Sequence, residues 1–157
     1  MSEITLRIEG RYRRETTDAG RLRTTLHVEE VAALAYATAA ERVLDGEARV
    51  VATRFAGHER EDHRHHRVRV LALEVRRHAV EKDVDNLMPG FGSLGPRETL
   101  AALLELETAA IAGQQALGRQ LANLDALRTV AMVMAGGAQH VVVLRDLLGD
   151  RPLTNLY

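Results

Sequence analysis

The chain contains no cysteine, which excludes a disulfide framework, a thiolate metal site and a thiol nucleophile. It has almost no excess charge of either sign. A net charge of −1 over 157 residues and a pI of about 6.7 leave no electrostatic footprint for nucleic acid. No stretch approaches the ~18 consecutive apolar residues of a membrane span. The opening MSEITLRIEG lacks the basic, apolar and small-residue succession of a secretory signal. The expectation is a cytoplasmic protein with neither a nucleic-acid nor a membrane partner. Aromatic residues make up only 3% of the chain, while alanine, leucine, valine and arginine abound, a composition that favours helices over sheets.

Hydrophobic periodicity organises the chain. From about Leu22 to Leu44, residues Leu22, Leu26, Glu29, Ala33, Tyr36, Ala40 and Val43 recur at three/four spacing, and Asp45-Gly46 ends the run. A second run, about Glu47 to His78, has the stripe Val51, Phe55, Glu59, Asp62 or His63, His66, Val70 and Leu73. The segment from Glu81 to Pro96 is dense in breakers: Asp85-Asn86, Met88-Pro89-Gly90, Gly92-Ser93 and Gly95-Pro96. Pro96 suits a first helical position and Glu98 the acidic first turn of a third helix. That helix runs to about Asn123, with leucines 100, 103, 104, 117, 121 and 124, Glu107, Ile111 and Gln114 inward. A fourth, about Asp125 to Leu148, turns Val130, Val133, Met134, Gly137, His140, Val141, Leu144 and Leu148 inward, and Gly149 and Pro152 follow it.

Short links join the first helix to the second and the third to the fourth, and the middle connection is long. The expected architecture is an all-α four-helix bundle with one long crossover between helices two and three. The bundle occupies residues 19–150, after an extended N-terminal arm at 1–18 and before a tail at 151–157. In the arm, Ile4, Leu6 and Ile8 alternate with Thr5, Arg7 and Glu9, which reads as a short strand or as a partly disordered segment.

All four apolar stripes are interrupted by polar groups: Glu29 in the first, Glu59 with Asp62 and His63 in the second, Glu107 in the third and His140 in the fourth. Carboxylates are almost never left unpaired in a core, where an isolated one costs several kcal/mol. Interruption of all four stripes implies that the groups converge on a metal or on each other. Glu107 is the firmest candidate, with leucines one turn above it and Ile111 one turn below. Glu29 competes with Glu30 for the inward place, and Tyr36 shares its face. Carboxylate and imidazole at i, i+4, as in Glu59 and His63, can reach one ion. His58, Glu61 and His65 read as solvated, with a surface zinc or copper site from His58, His65 and His66 as a minor alternative. His140 alone would read as a satisfied core histidine; three inward glutamates make it a ligand candidate.

The order Glu29 with Tyr36, Glu59 with His63, a Pro/Gly-containing crossover, Glu107, and AGGAQH ending in His140 resembles the ferritin-like superfamily over residues 22–150, especially its small bacterial members. In that superfamily the first and third helices each give one glutamate, and the second and fourth each give Glu-x-x-His, around two iron or manganese ions. The resemblance implies Glu29 and Glu107 as the single glutamates, Glu59 as that of the second helix and His140 as the histidine of the fourth. Two positions depart from the pattern. Asp62 stands three residues after Glu59 and His63 four after, while Gly137 stands where the fourth helix should carry glutamate.

The implied metal set is Glu29, Glu59, Asp62, His63, Glu107 and His140, for one or two ions of iron or manganese, with zinc as an alternative. The implied activity is iron oxidation or oxygen- or peroxide-linked oxidoreduction. The alternative is a non-catalytic scaffold of the same ancestry acting as a structural or protein-interaction module. A third reading is a small-molecule pocket opened by Gly113, Gly118, Gly136 and Gly137. A homo-oligomer, first of all a dimer paired through the outer faces of the first two helices, is also expected from the resemblance.

Overall fold

Helix α2 (Asp18–Arg42) is the element around which the others gather. The computed structural model describes the backbone of residues 3–67 and 77–150 and the side chains of 3–60 and 82–150. Every regular element among the described residues is helical: α1 (Glu3–Arg13), α2, α3 (Gly46–Arg67), α4 (Arg77–Leu87), a 3-10 turn (Phe91–Ser93), α5 (Pro96–Gly118) and α6 (Leu124–Leu147). The long helices form two hairpins, α2 with α3 and α5 with α6, and α2 also packs on α1, α4 and α5.

Local chemistry sets the ends. The Thr17 side chain caps α2 by accepting from the Gly20 N–H at 3.1 Å. The α2–α3 link turns at Gly46, whose φ of +48° favours glycine. Pro96 opens α5 with Glu98 in its first turn. The Asn123 side chain caps α6, accepting from the Asp125 and Ala126 N–H groups at 2.9 and 3.0 Å. Asp18 Oδ2 accepts from the Ala122 and Asn123 N–H groups, and Arg21 donates to the Gln120 carbonyl at 2.8 Å, so the start of α2 holds the α5–α6 turn.

Three expectations are corrected. The N-terminal segment is a helix, not an extended arm. Ile4, Ile8 and Tyr12 lie at i, i+4, i+8 and are buried against the other helices, while Leu6 is 50% exposed. An alternation of three apolar residues also contains an i, i+4 pair, and Tyr12 continues the helical period. The crossover is partly helical too. Val84, Leu87, Met88 and Phe91 follow three/four spacing into the core, and Asp85-Asn86, read as a turn, lies on the exposed side of α4. Leu124 points outward at 69% exposure, because Asn123 caps the helix and the inner face begins at Ala126, Thr129 and Val130.

A polar clasp pins α1 and α4 to α2. Asp83 accepts from Arg11 Nη2 at 2.6 Å and meets His27 Nε2 at 2.7 Å. Burial works upward on the Asp83 carboxyl, but Arg11 and His27 outweigh it and hold it below the usual carboxylate range.

Candidate metal centre

Each of the four long helices delivers one buried ionisable group to the same place. Glu29 comes from α2, Glu59 from α3, Glu107 from α5 and His140 from α6, all between 3% and 6% exposed. Their depth follows from spacing. Glu29 shares a face with Tyr36, Glu59 lies one turn after buried Phe55, and Glu107 lies one turn after Leu103.

His140 is the hub. Its Nδ1 lies 2.9 Å from Glu107 Oε1 and 3.1 Å from Glu59 Oε1. Burial alone would depress its pKa, but the hydrogen bonds and charges of Glu107 and Glu59 reverse this and push it up to about 9. The imidazole stacks on Phe55 with ring centroids 3.8 Å apart, and Tyr36 meets it edge-on at 5.8 Å. The Tyr36 hydroxyl donates to Glu107 Oε1 at 2.7 Å. Gln114 donates to Glu29 Oε1 at 3.0 Å.

The carboxyls are driven apart in acidity. Burial, then repulsion from Glu59, raises Glu29 well above the usual range, so it is the group that keeps a proton. Burial also raises Glu107, against the opposing pull of His140. For Glu59 burial works upward too, but the neighbouring Glu29 carboxyl and the His140 imidazole outweigh it and hold the group low. Glu59 Oε2 is fully buried and receives no N–H donor among the described residues. The Glu29 carboxyl hydrogen-bonds to Glu59, so the two acids share one proton at the centre of the site.

Glu59, Glu107 and His140 offer ligand atoms that all lie within 4.8 Å of one another, a geometry compatible with one metal ion. Glu29 stands beside this trio. The Asp62 and His63 side chains lie outside the described residues, as do those of His65 and His66. His58 is exposed, as expected, although its ring sits 5.9 Å from that of His140.

Gly137 serves close approach rather than open space. A Cβ there would lie 3.1 Å from Glu107 Oε2 and 3.4 Å from Ile111 Cγ1, so the Glu107 carboxylate occupies the room left beside the α6 backbone. Gly113 is likewise covered, by the ring of Tyr12. Beside it lies a shallow groove of about 190 Å³ lined by Glu9, Tyr12 and Leu117 among others, and by none of Glu29, Glu59, Glu107 or His140.

Phe55 and Gln114 were legible as inward residues, but their contacts to His140 and Glu29 were not. The period of a helix gives the face a residue occupies and not its partner across the core. Tyr12 was missed because the alternation of Ile4, Leu6 and Ile8 masked the i, i+4, i+8 spacing of Ile4, Ile8 and Tyr12. No protein-family model, curated protein or solved structure matches this chain.

Proposed function

We propose that the chain is a ferritin-like four-helix protein that binds a divalent metal, iron or manganese by preference and zinc as an alternative, through Glu59, Glu107 and His140. The observation that supports this most is the convergence of one acidic or imidazole group from each long helix, with ligand atoms of Glu59, Glu107 and His140 all within 4.8 Å of one another. Carboxylate and imidazole donors suit these hard to borderline cations. Glu29, the carboxyl held well above the usual carboxylate range, would join the ligands only after losing its proton to solvent, so loading through it would release a proton.

The surrounding residues have defined roles in this reading. Tyr36 orients Glu107, Gln114 orients Glu29, and Phe55 covers one face of the His140 ring against water. A bound iron or manganese would supply a redox couple for iron oxidation or for oxygen- or peroxide-linked oxidoreduction. Gly137 brings no carboxylate, which favours one ion over a pair.

A second reading rests on the completeness of the hydrogen bonding. His140, Tyr36 and Gln114 already neutralise or hold three of the carboxylate oxygens, as a metal-free scaffold would require. Elemental analysis of protein from iron-replete cells separates the two. The metal reading expects about one ion per chain, lost in Glu107→Ala. Less than about 0.2 per chain, with no difference in the variant, sinks it in favour of the scaffold.

A further inference from the structure

Helix α6 is far more apolar than its burial requires. It is long and apolar enough, by length and composition alone, to cross a membrane, with a mean hydropathy of 1.4 over its most apolar 18 residues. Helices of soluble proteins that meet this measure are core helices, mostly buried, whereas only 33% of this window is buried. Four of the six large apolar side chains exposed among the described residues lie on α6: Leu124 at 69%, Leu127 at 39%, Met132 at 64% and Val142 at 46%.

Leu124 and Val142 lie at one angle on the helix, with Leu127 and Met132 on its two flanks. Taking about 100° per residue, Leu124, Arg128, Ala131, Ala135, Gln139, Val142 and Asp146 fall within a stripe about 80° wide, opposite the buried Ala126, Val133, Gly137 and Leu144. All seven are exposed. The stripe is apolar in its middle and charged at its two ends, with Arg128 at one end and Asp146 at the other. Both charges lie at the same angle on the helix, since 18 residues make five whole turns at 3.6 residues per turn. Among the described residues Arg128 pairs with Asp125 at 3.4 Å in a solvent-exposed contact worth little.

We propose that this face docks against the same face of a second copy of the chain, the two α6 helices lying antiparallel across a twofold axis near Gly137. A twofold axis perpendicular to both helices sets residues at equal heights above and below it against each other where they share an angle on the helix. Arg128 of each copy then meets Asp146 of the other, with Ala131, Ala135 and Val142 between the two charge pairs. A parallel pairing would set Arg128 against Arg128 and Asp146 against Asp146, so the charge pattern selects the antiparallel register. The occupant is another copy because the charges are complementary to their own reversed order. The surface lies on the last long helix, not on the first two; α2 is enclosed by its neighbours.

The test is the mass of the full chain in solution, by sedimentation or light scattering, over a concentration series. Wild type is expected to dimerise. Arg128→Glu and Asp146→Arg, each setting like charges together, are expected to weaken the dimer about tenfold or more for the two reciprocal pairs. The double variant Arg128→Glu/Asp146→Arg restores it. Val142→Asp, in the apolar middle, abolishes it. All three positions are exposed, and circular dichroism checks that the helices are retained. A wild-type monomer at about 100 μM, where even weak specific dimers form, overturns the proposal. So does a dimer that the single charge reversals leave unchanged, which would place the interface elsewhere. Binding of monomers to anionic vesicles in place of self-association also overturns it.

Discussion

The Tyr36 hydroxyl on α2 donates to Glu107 Oε1 on α5 at 2.7 Å, across 71 residues of sequence and at the centre of the core. That bond fixes the oxygen that also meets His140. Burial, with Glu107 close by, raises the Tyr36 pKa well above the ordinary tyrosine range, so Tyr36 acts as a donor at every physiological pH. Tyr36→Phe is expected to cost about 1–2 kcal/mol of stability, the usual effect of leaving a buried charged acceptor one donor short. Denaturant unfolding measures it; an unchanged midpoint would show that His140 alone suffices for Glu107.

The metal-free protein should lose stability as pH rises from about 6.5 to 9. His140 has its folded pKa raised from 6.5 to about 9, so in this window the native state binds more protons than the unfolded chain. Stability therefore falls with pH, at up to about 1.4 kcal/mol per pH unit for each proton so retained. The contribution is complete below 6.5 and is lost as pH passes 9. Raised Glu29 and Glu107 act in the same sense, while lowered Glu59 is ionised in both states above pH 6.5 and contributes only at acid pH. Thermal melts in matched ionic strength at pH 6.5 and 9 test the sign, and His140→Gln should flatten the curve.

Ile8 is fully buried although it belongs to a segment that reads as a loose arm. Ile8→Ala should cost about 2–4 kcal/mol, the range for truncating a large aliphatic residue in a core. A truly peripheral arm would show less than about 0.5 kcal/mol, the usual limit for surface substitutions.

Gly113→Ala sets helix propensity against packing. Alanine in mid-helix gains about 1 kcal/mol over glycine. The added Cβ, however, would overlap the ring of buried Tyr12, which cannot withdraw without moving α1 off α5. Overpacking of this kind costs about 1–3 kcal/mol, so net destabilisation is expected. Restoration of stability by Tyr12→Leu in the same chain would assign the effect to this contact.

Four helices with a long central crossover were legible because their stripes are long and their ends carry explicit signals, as at Gly46, Pro96 and Gly149, whereas the cap at Asn123 carried no such signal. Glu29 was chosen over Glu30 on its alignment with Leu26 and Tyr36, and it is Glu29 that is buried. Less legible were short helices, whose few apolar residues fit two periods at once. Ile4, Leu6 and Ile8 satisfy period two, while burial selects Ile4, Ile8 and Tyr12. Asp85-Asn86 carried a turn signal that packing of Val84 and Leu87 overrode. The room at Gly137 could not be foreseen as filled, because the neighbour that fills it lies on another helix.

The distribution of charge between the two hairpins bears on how the molecule assembles. The α2–α3 hairpin brings Glu29 and Glu59, two acids that repel. The α5–α6 hairpin brings Glu107 and His140, an acid already matched by a base. Alone, the first hairpin would hold two facing carboxyls that must share a proton and keep one negative charge, whereas the second is close to neutral. Docking inserts the imidazolium between Glu59 and Glu107, so the cation is delivered by the second half of the chain to a deficit built into the first. The polar core therefore works as a recognition element between the two halves, rewarding the one docking depth at which His140 reaches both acids and penalising slippage by a helical turn.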